Sequence, residues 1–135
     1  MQKLDQSIFR AYDIRGQYPT EINERTVRAI AETLGRRFAR GMVLVGHDGR
    51  TSSPALSFAV KRGLAISKPR SAITDIGIAT TPMFYFLVNH LKAAGGIMVT
   101  ASHNPKGMNG LKVVGPRAVP LSGREVLAFM RNTHA

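Results

Sequence analysis

The sequence predicts an α/β layered domain, with a central mixed, mostly parallel sheet covered by helices on both faces. Three observations carry that expectation. Short apolar runs alternate with segments whose apolar residues recur at helical spacing, so strand and helix follow one another along the chain. The runs are apolar throughout, as in strands buried on both faces. Polar stretches rich in glycine and proline separate them, and no internal repeat or low-complexity linker interrupts the order.

The elements follow in turn. After Asn23, the residues Val27, Ile30, Ala31, Leu34 and Phe38 form one stripe, and Glu24, Arg25, Arg28, Glu32, Arg36 and Arg37 fill the other side. This is an amphipathic helix ending near Gly41. Met42-Val43-Leu44-Val45 reads as a buried strand, and Gly46-His47-Asp48-Gly49-Arg50 as the loop after it. Pro54 suits the first turn of a second helix lined by Leu56, Ala59, Val60, Gly63 and Leu64. Ser71 to Ile76 is a strand. Thr80-Thr81-Pro82 opens a third helix with Phe84, Leu87, Val88 and Leu91 as its buried stripe, and Gly95-Gly96 closes it. The run Met83-Phe84-Tyr85-Phe86 reads as core. Ile97 to Thr100 and Leu111 to Val114 are strands on either side of a polar loop. Ser122 and Glu125 then form a capping box for a last helix carrying Val126, Leu127 and Phe129.

Length and composition bound the function. A chain of 135 residues is one domain, residues 1–135, built around one core. No apolar run approaches the ~20 residues of a membrane span, and the N-terminus has no signal-peptide pattern, so a soluble cytoplasmic protein without a membrane partner is expected. The absence of cysteine excludes disulfides, thiolate catalysis and thiolate-bound zinc. A formal charge of +11 would attract polyanions. The cations are spread along the chain, however, and no nucleic-acid-binding signature accompanies them, so nucleic acid is not the expected partner. The charge keeps one alternative open: a non-catalytic basic module that binds nucleic acid or a protein on the same fold. It would equally suit a chain balanced by acidic segments elsewhere.

In such sheets chemistry gathers in the loops that follow strands. Two qualify, His47 to Ser53 and Ala101 to Asn109. The second runs Thr100-Ala101-Ser102-His103-Asn104-Pro105-Lys106-Gly107-Met108-Asn109-Gly110. It would expose the Ser102 hydroxyl at a strand end beside His103, Asn104 and backbone donors, a group able to hold phosphate oxygens. The plainer reading makes Ser102 and Asn104 turn formers ahead of Pro105. A serine hydrolase is poorly served, since there is neither Gly-x-Ser-x-Gly nor an acid partner for His103.

With these motifs together, Thr100 to Pro105 resembles the phosphoserine signature of the α-D-phosphohexomutases. Phe9-Arg10-Ala11-Tyr12-Asp13-Ile14-Arg15-Gly16 is similar to that family's opening motif in its phosphomannomutase/phosphoglucomutase form. Gly46 to Arg50, Thr80-Thr81-Pro82 and Gly110-Leu111-Lys112 match in the same order, and the resemblance runs from about Ser7 to Ser122. It implies the N-terminal domain of an enzyme interconverting hexose 1-phosphates and hexose 6-phosphates of glucose or mannose. Phosphorylated Ser102 would pass its phosphoryl group through a hexose 1,6-bisphosphate intermediate. It further implies Lys112 as acid/base or electrostatic group, Arg15 on the serine's phosphate, and His103 beside the nucleophile. Tyr12 and Asn104 would join Arg15 and Lys112 in binding substrate.

Each side chain also has a plainer reading. Lys112 suits the polar face of a strand, Arg15-Gly16 an ordinary turn, His103 a loop hydrogen bond, and Tyr12 simple packing. Arg50 is expected to tie loops together. The resemblance implies Mg²⁺ bound through the Ser102 phosphate and three aspartates of a later domain. No Asp-x-Asp-x-Asp run is present, and Asp5, Asp13, Asp48 and Asp75 are scattered. The remaining domains of the mutase would be this chain's partners, and alone it is expected to fold without isomerising sugars. His47, Met108 and Arg117-Ala118-Val119 depart from the usual pattern and leave the sugar open. A phosphoglucosamine mutase is a further alternative, against which Tyr12-Asp13-Ile14-Arg15-Gly16 argues.

Overall fold

The computed structural model describes residues 4–133 and arranges their strands in a single six-stranded sheet. In chain order the elements are β1 (Ile14–Gln17), α1 (Glu24–Arg37), β2 (Val43–His47), α2 (Ser53–Leu64), β3 (Ile73–Ile78), α3 (Thr81–His90), β4 (Gly95–Val99), β5 (Met108–Val114), β6 (Pro120–Leu121) and α4 (Gly123–Thr133). The strand order is β1-β5-β4-β2-β3, with β6 also paired to β5. The sheet is mixed, as expected, but parallel pairing is confined to β4-β2-β3; β5 runs antiparallel to β4, β1 and β6. The reason lies in residues 100–107 between β4 and β5. A parallel return needs a crossover of about a dozen residues or more, which this loop is too short to supply.

Helices cover both faces. On one, α1 and α2 pack together with α4, and Val27, Ile30, Leu34, Leu56, Val60, Leu64 and Val126 join Val45, Ile97 and Leu111 in the larger core. On the other, α3 seals Leu44, Met98 and Val114 beneath Phe84 and Val88, with the short turn at residues 116–118 packed beside it. Burying each of those two α3 side chains contributes about 2 kcal/mol. The start of α1 is fixed as its sequence suggests, because the Asn23 side chain accepts from the Thr26 N–H at 3.0 Å. The capping box of α4 is present in both directions, Glu125 N–H to Ser122 Oγ at 3.1 Å and Ser122 N–H to Glu125 Oε1 at 3.2 Å.

Three expectations need correction. Gly95-Gly96 does not close α3; it opens β4, and α3 stops at Leu91, with Lys92 in the left-handed region at φ 52°. A Cβ on Gly96 would stand 2.6 Å from Phe84 Cζ and one on Gly95 2.7 Å from Phe38 Cζ, so the pair lets a ring lie against each face of the strand. The Met83–Phe86 run is not all core. A single helix turns only one stripe to the sheet, so Phe84 is buried while Met83, Phe86 and Leu91 are exposed. Finally, Arg15-Gly16 is not a turn but the middle of β1, paired with Gly110 and Asn109.

Candidate functional site

The site is built where β4 ends. Thr100 is buried, and its Oγ1 accepts the Ser102 N–H at 3.0 Å. The Asn104 N–H and its Nδ2 both donate to the Ala101 carbonyl, at 3.0 and 2.6 Å. These bonds fold a tight turn that forces Ser102 to φ 54°, the left-handed region that serine rarely occupies. Its side chain is exposed. Strain of this kind at a loop serine points to a function that the fold holds in place.

The loop after β2 does the holding. Arg50 directs Nη1 to the Pro105 and Met108 carbonyls, at 3.0 and 3.1 Å, and Nη2 to those of Ser102 and Asn104, at 3.2 and 2.6 Å. Its Nε lies 3.5 Å from Asp48 Oδ2. Both terminal nitrogens of the guanidinium are thus spent on carbonyls of residues 102–108, while Nε faces the aspartate of Arg50's own loop. Asn109, fully buried at the start of β5, adds Nδ2 bonds to Ser52 Oγ and Ser53 Oγ at 2.7 and 3.0 Å. Burial pushes the Asp48 carboxyl up. Hydrogen bonds from Ser53, the Arg50 N–H and Thr100, together with the Arg50 charge, outweigh it and hold the group below its ordinary value.

A folded-state pKa below the unfolded one means that Asp48 stabilises the protein above about pH 4, and that this stabilisation is lost as the pH falls through the folded value. Denaturant midpoints measured from neutral to acid pH should therefore fall less steeply for Asp48→Asn than for the parent. Equal slopes would exclude this role.

Ser102 stands between two cavities. One, of about 1170 Å³, is lined by Ser102, His103 and Lys112, with Asp48, Tyr85 and the Thr80–Met83 segment. The other, of about 640 Å³, is lined by Ser102, Asn104, Lys106 and Arg50. Lys112 comes from β5, where its strand neighbours Leu111 and Val113 are buried. Asp13, immediately before β1, is 3% exposed. Its Oδ2 is 2.7 Å from Arg15 Nη2 and 3.8 Å from Lys112 Nζ. Burial pushes the Tyr85 phenol up, and the Asp13 charge adds to the effect.

The expected site residues are therefore placed unequally. Ser102, His103 and Lys112 share one cavity wall, and Arg15 is joined to Lys112 through Asp13. Asn104 faces the second cavity, but its amide is engaged in closing the turn. Tyr12 is 85% exposed and lines neither cavity. No group of three or more His, Asp or Glu side chains able to hold a metal ion occurs among the described residues. The Asp48 carboxylate, which lines both cavities with Ser102, is committed to Arg50 and Ser53, so the described residues do not make a magnesium site by themselves. No helix of the described residues is long and apolar enough to cross a membrane.

Residues 6–133 match the model of the phosphoglucomutase/phosphomannomutase α/β/α domain I. The chain belongs to that family. It is 47% identical over 127 residues, 94% of its length, to a protein named phosphohexose mutases from Xanthomonas campestris pv. campestris (strain B100), and spans 28% of that relative. It is 43% identical over 115 residues, 85% of its length, to a phosphomannomutase from Klebsiella pneumoniae, of which it spans 72%. A solved phosphoglucomutase/phosphomannomutase family protein from Burkholderia thailandensis superposes with a TM-score of 0.83 at 31% identity, covering 98% of this chain and 31% of that one.

Within this family domain, sequence reasoning missed Asp13, Tyr85 and Asn109. In the sequence Asp13 reads as part of the opening motif and as one of four scattered aspartates, and the signal for its link to Arg15 is the i, i+2 spacing, which in an extended segment puts both side chains on one side. Asn109 and Tyr85 carried no comparable pattern.

Proposed function

We propose that this chain is the phosphoserine-bearing domain of a phosphohexomutase that interconverts the 1- and 6-phosphates of mannose or glucose. One observation carries the reading: Ser102, held in a strained conformation by a clamped loop, opens with His103 and Lys112 onto one cavity. In the forward step, a hydroxyl of the hexose monophosphate attacks the phosphorus on Ser102. The new sugar O–P bond forms as the Ser102 Oγ–P bond breaks, and the proton of the sugar hydroxyl ends on Ser102 Oγ. The resulting hexose 1,6-bisphosphate returns its other phosphoryl group to Ser102 in the reverse sense, releasing the isomer.

Charge in this transition state spreads over the transferred oxygens, so positioned cations supply most of the acceleration. Lys112, on the cavity wall, serves that charge and moves the hydroxyl proton; His103 assists beside the nucleophile, and Arg15 holds the serine's phosphate. Tyr12 and Asn104 orient the sugar. The chain spans about a quarter to a third of most of the relatives cited, so sugar recognition and the carboxylates for Mg²⁺ belong to further domains, this chain lending the metal only the Ser102 phosphate. The relatives' printed names, phosphomannomutase and phosphohexose mutases, favour a neutral hexose over a glucosamine substrate.

Peptide mapping of the protein isolated from its own host tests the reading. Phosphate on the peptide containing Ser102, removed on incubation with mannose or glucose 1-phosphate in the complete mutase, is expected. An unmodified Ser102 that hexose 1,6-bisphosphate fails to phosphorylate would overturn it.

A further inference from the structure

We propose that Asp13 is a positioning residue that sets Arg15 and Lys112 as a fixed pair of cations for the phosphate on Ser102. The inference rests on reading Ser102 as the phosphate-bearing residue, and deepens it.

The geometry is specific. One carboxylate oxygen, Asp13 Oδ2, takes both cations: Arg15 from β1 at 2.7 Å and Lys112 from β5 at 3.8 Å. The register explains why they meet. Ile14 faces Leu111 and Arg15 faces Gly110, so Asp13 continues the ladder opposite Lys112, on the same side of the sheet as Arg15. Gly110 makes the approach possible, since a Cβ there would stand 2.0 Å from the Ile14 carbonyl. Lys112 is also paired with Met98 across β4, which places its stem on the α3 side where the cavity opens.

The arrangement is poorly explained as a structural staple. Asp13 is almost fully buried, yet its Oδ1 and the Arg15 Nε have no hydrogen-bond partner. A carboxylate buried with one oxygen unused is a weak device for stability. Nor does it help an anion site by charge, because a negative group beside the cavity repels phosphate. What it does supply is geometry: two like charges that would otherwise repel are held on one oxygen, and the flexible stem of Lys112 is fixed.

That conflict gives the test a sign. Asp13→Asn is nearly isosteric and removes the negative charge. If Asp13 acted only through its charge, the variant would bind phosphate more tightly than the parent; if it positions the cations, the variant binds more weakly. Inorganic phosphate is titrated into the chain while the amide resonances of Ser102, His103 and Lys112 are followed, and thermal unfolding is recorded in parallel. We expect Asp13→Asn to weaken phosphate binding about tenfold, the scale of one charge-assisted contact. Asp13→Glu, with its charge kept but displaced by one methylene, should weaken it as well. If Asp13→Asn does not fold, Asp13→Glu carries the test, because altered geometry at constant charge leaves a merely electrostatic role unchanged. Equal or tighter binding by a folded Asp13→Asn, or parent-like binding by Asp13→Glu, overturns the proposal. A parent chain whose Ser102 loop ignores phosphate overturns instead the reading on which it rests.

Discussion

Replacing Ser102 by glycine is expected to abolish phosphoryl transfer completely while making the folded protein more stable by about 1 kcal/mol. The two effects share one cause. Ser102 sits at φ 54°, where a side chain is strained, and glycine enters that region without penalty. Glycine also leaves the unfolded chain more freedom, which offsets part of the gain, so the net change is modest. The bonds that shape the turn survive, because they run from the Ser102 N–H to Thr100 Oγ1 and from Arg50 to the Ser102 carbonyl. Only the hydroxyl is lost. Chemical denaturation would read the stability, and phosphate incorporation from hexose 1,6-bisphosphate the chemistry. A glycine variant less stable than the parent would show that the serine conformation is not strained. One that still turned over would remove Ser102 from the mechanism. Ser102→Ala separates the two causes, since it loses the hydroxyl but keeps the strain.

The parts of the fold most legible in the sequence are those where burial alone writes the pattern. In α1, Val27, Ile30, Ala31 and Leu34 are all buried, and in α2 so are Leu56, Ala59, Val60 and Leu64. Each helix packs one stripe against a sheet face, which repeats at the helical period. β1 was illegible for the opposite reason. Its four residues, Ile14-Arg15-Gly16-Gln17, include an arginine tied to Asp13 and a glycine fitted against Ile8 and Glu21. Local requirements there override strand propensity. Gly95-Gly96 misled similarly: glycines that end a helix through backbone freedom look the same as glycines that admit Phe38 and Phe84. The Ser102 loop was legible as a motif, and Arg50 as a tie between loops. The Asp13 link was not, because Lys112 reaches it only through the β1–β5 pairing, which no local pattern announces.

The second large effect belongs to Arg50. Arg50→Ala should reduce phosphoryl transfer about 100-fold, the scale of a displacement near 1 Å at the reacting atoms. It should also lower stability by about 2 kcal/mol, less than the lost contacts would suggest, because water can reach the carbonyls of an exposed loop. Arg50→Lys is expected to recover little. Lysine offers a single charged point, whereas the four carbonyls of Ser102, Asn104, Pro105 and Met108 lie around a planar fork. Amide hydrogen exchange separates a local from a global cause: residues 101–108 should exchange faster in the variant, while the buried backbone of α1 and β2 keeps its protection. Full activity with unchanged exchange in the loop would show that the turn around Ala101 maintains itself. Loss confined to the loop would instead show that Ser102 is aimed from outside its own segment, by the strand end of β2, so that the two loops operate as one unit.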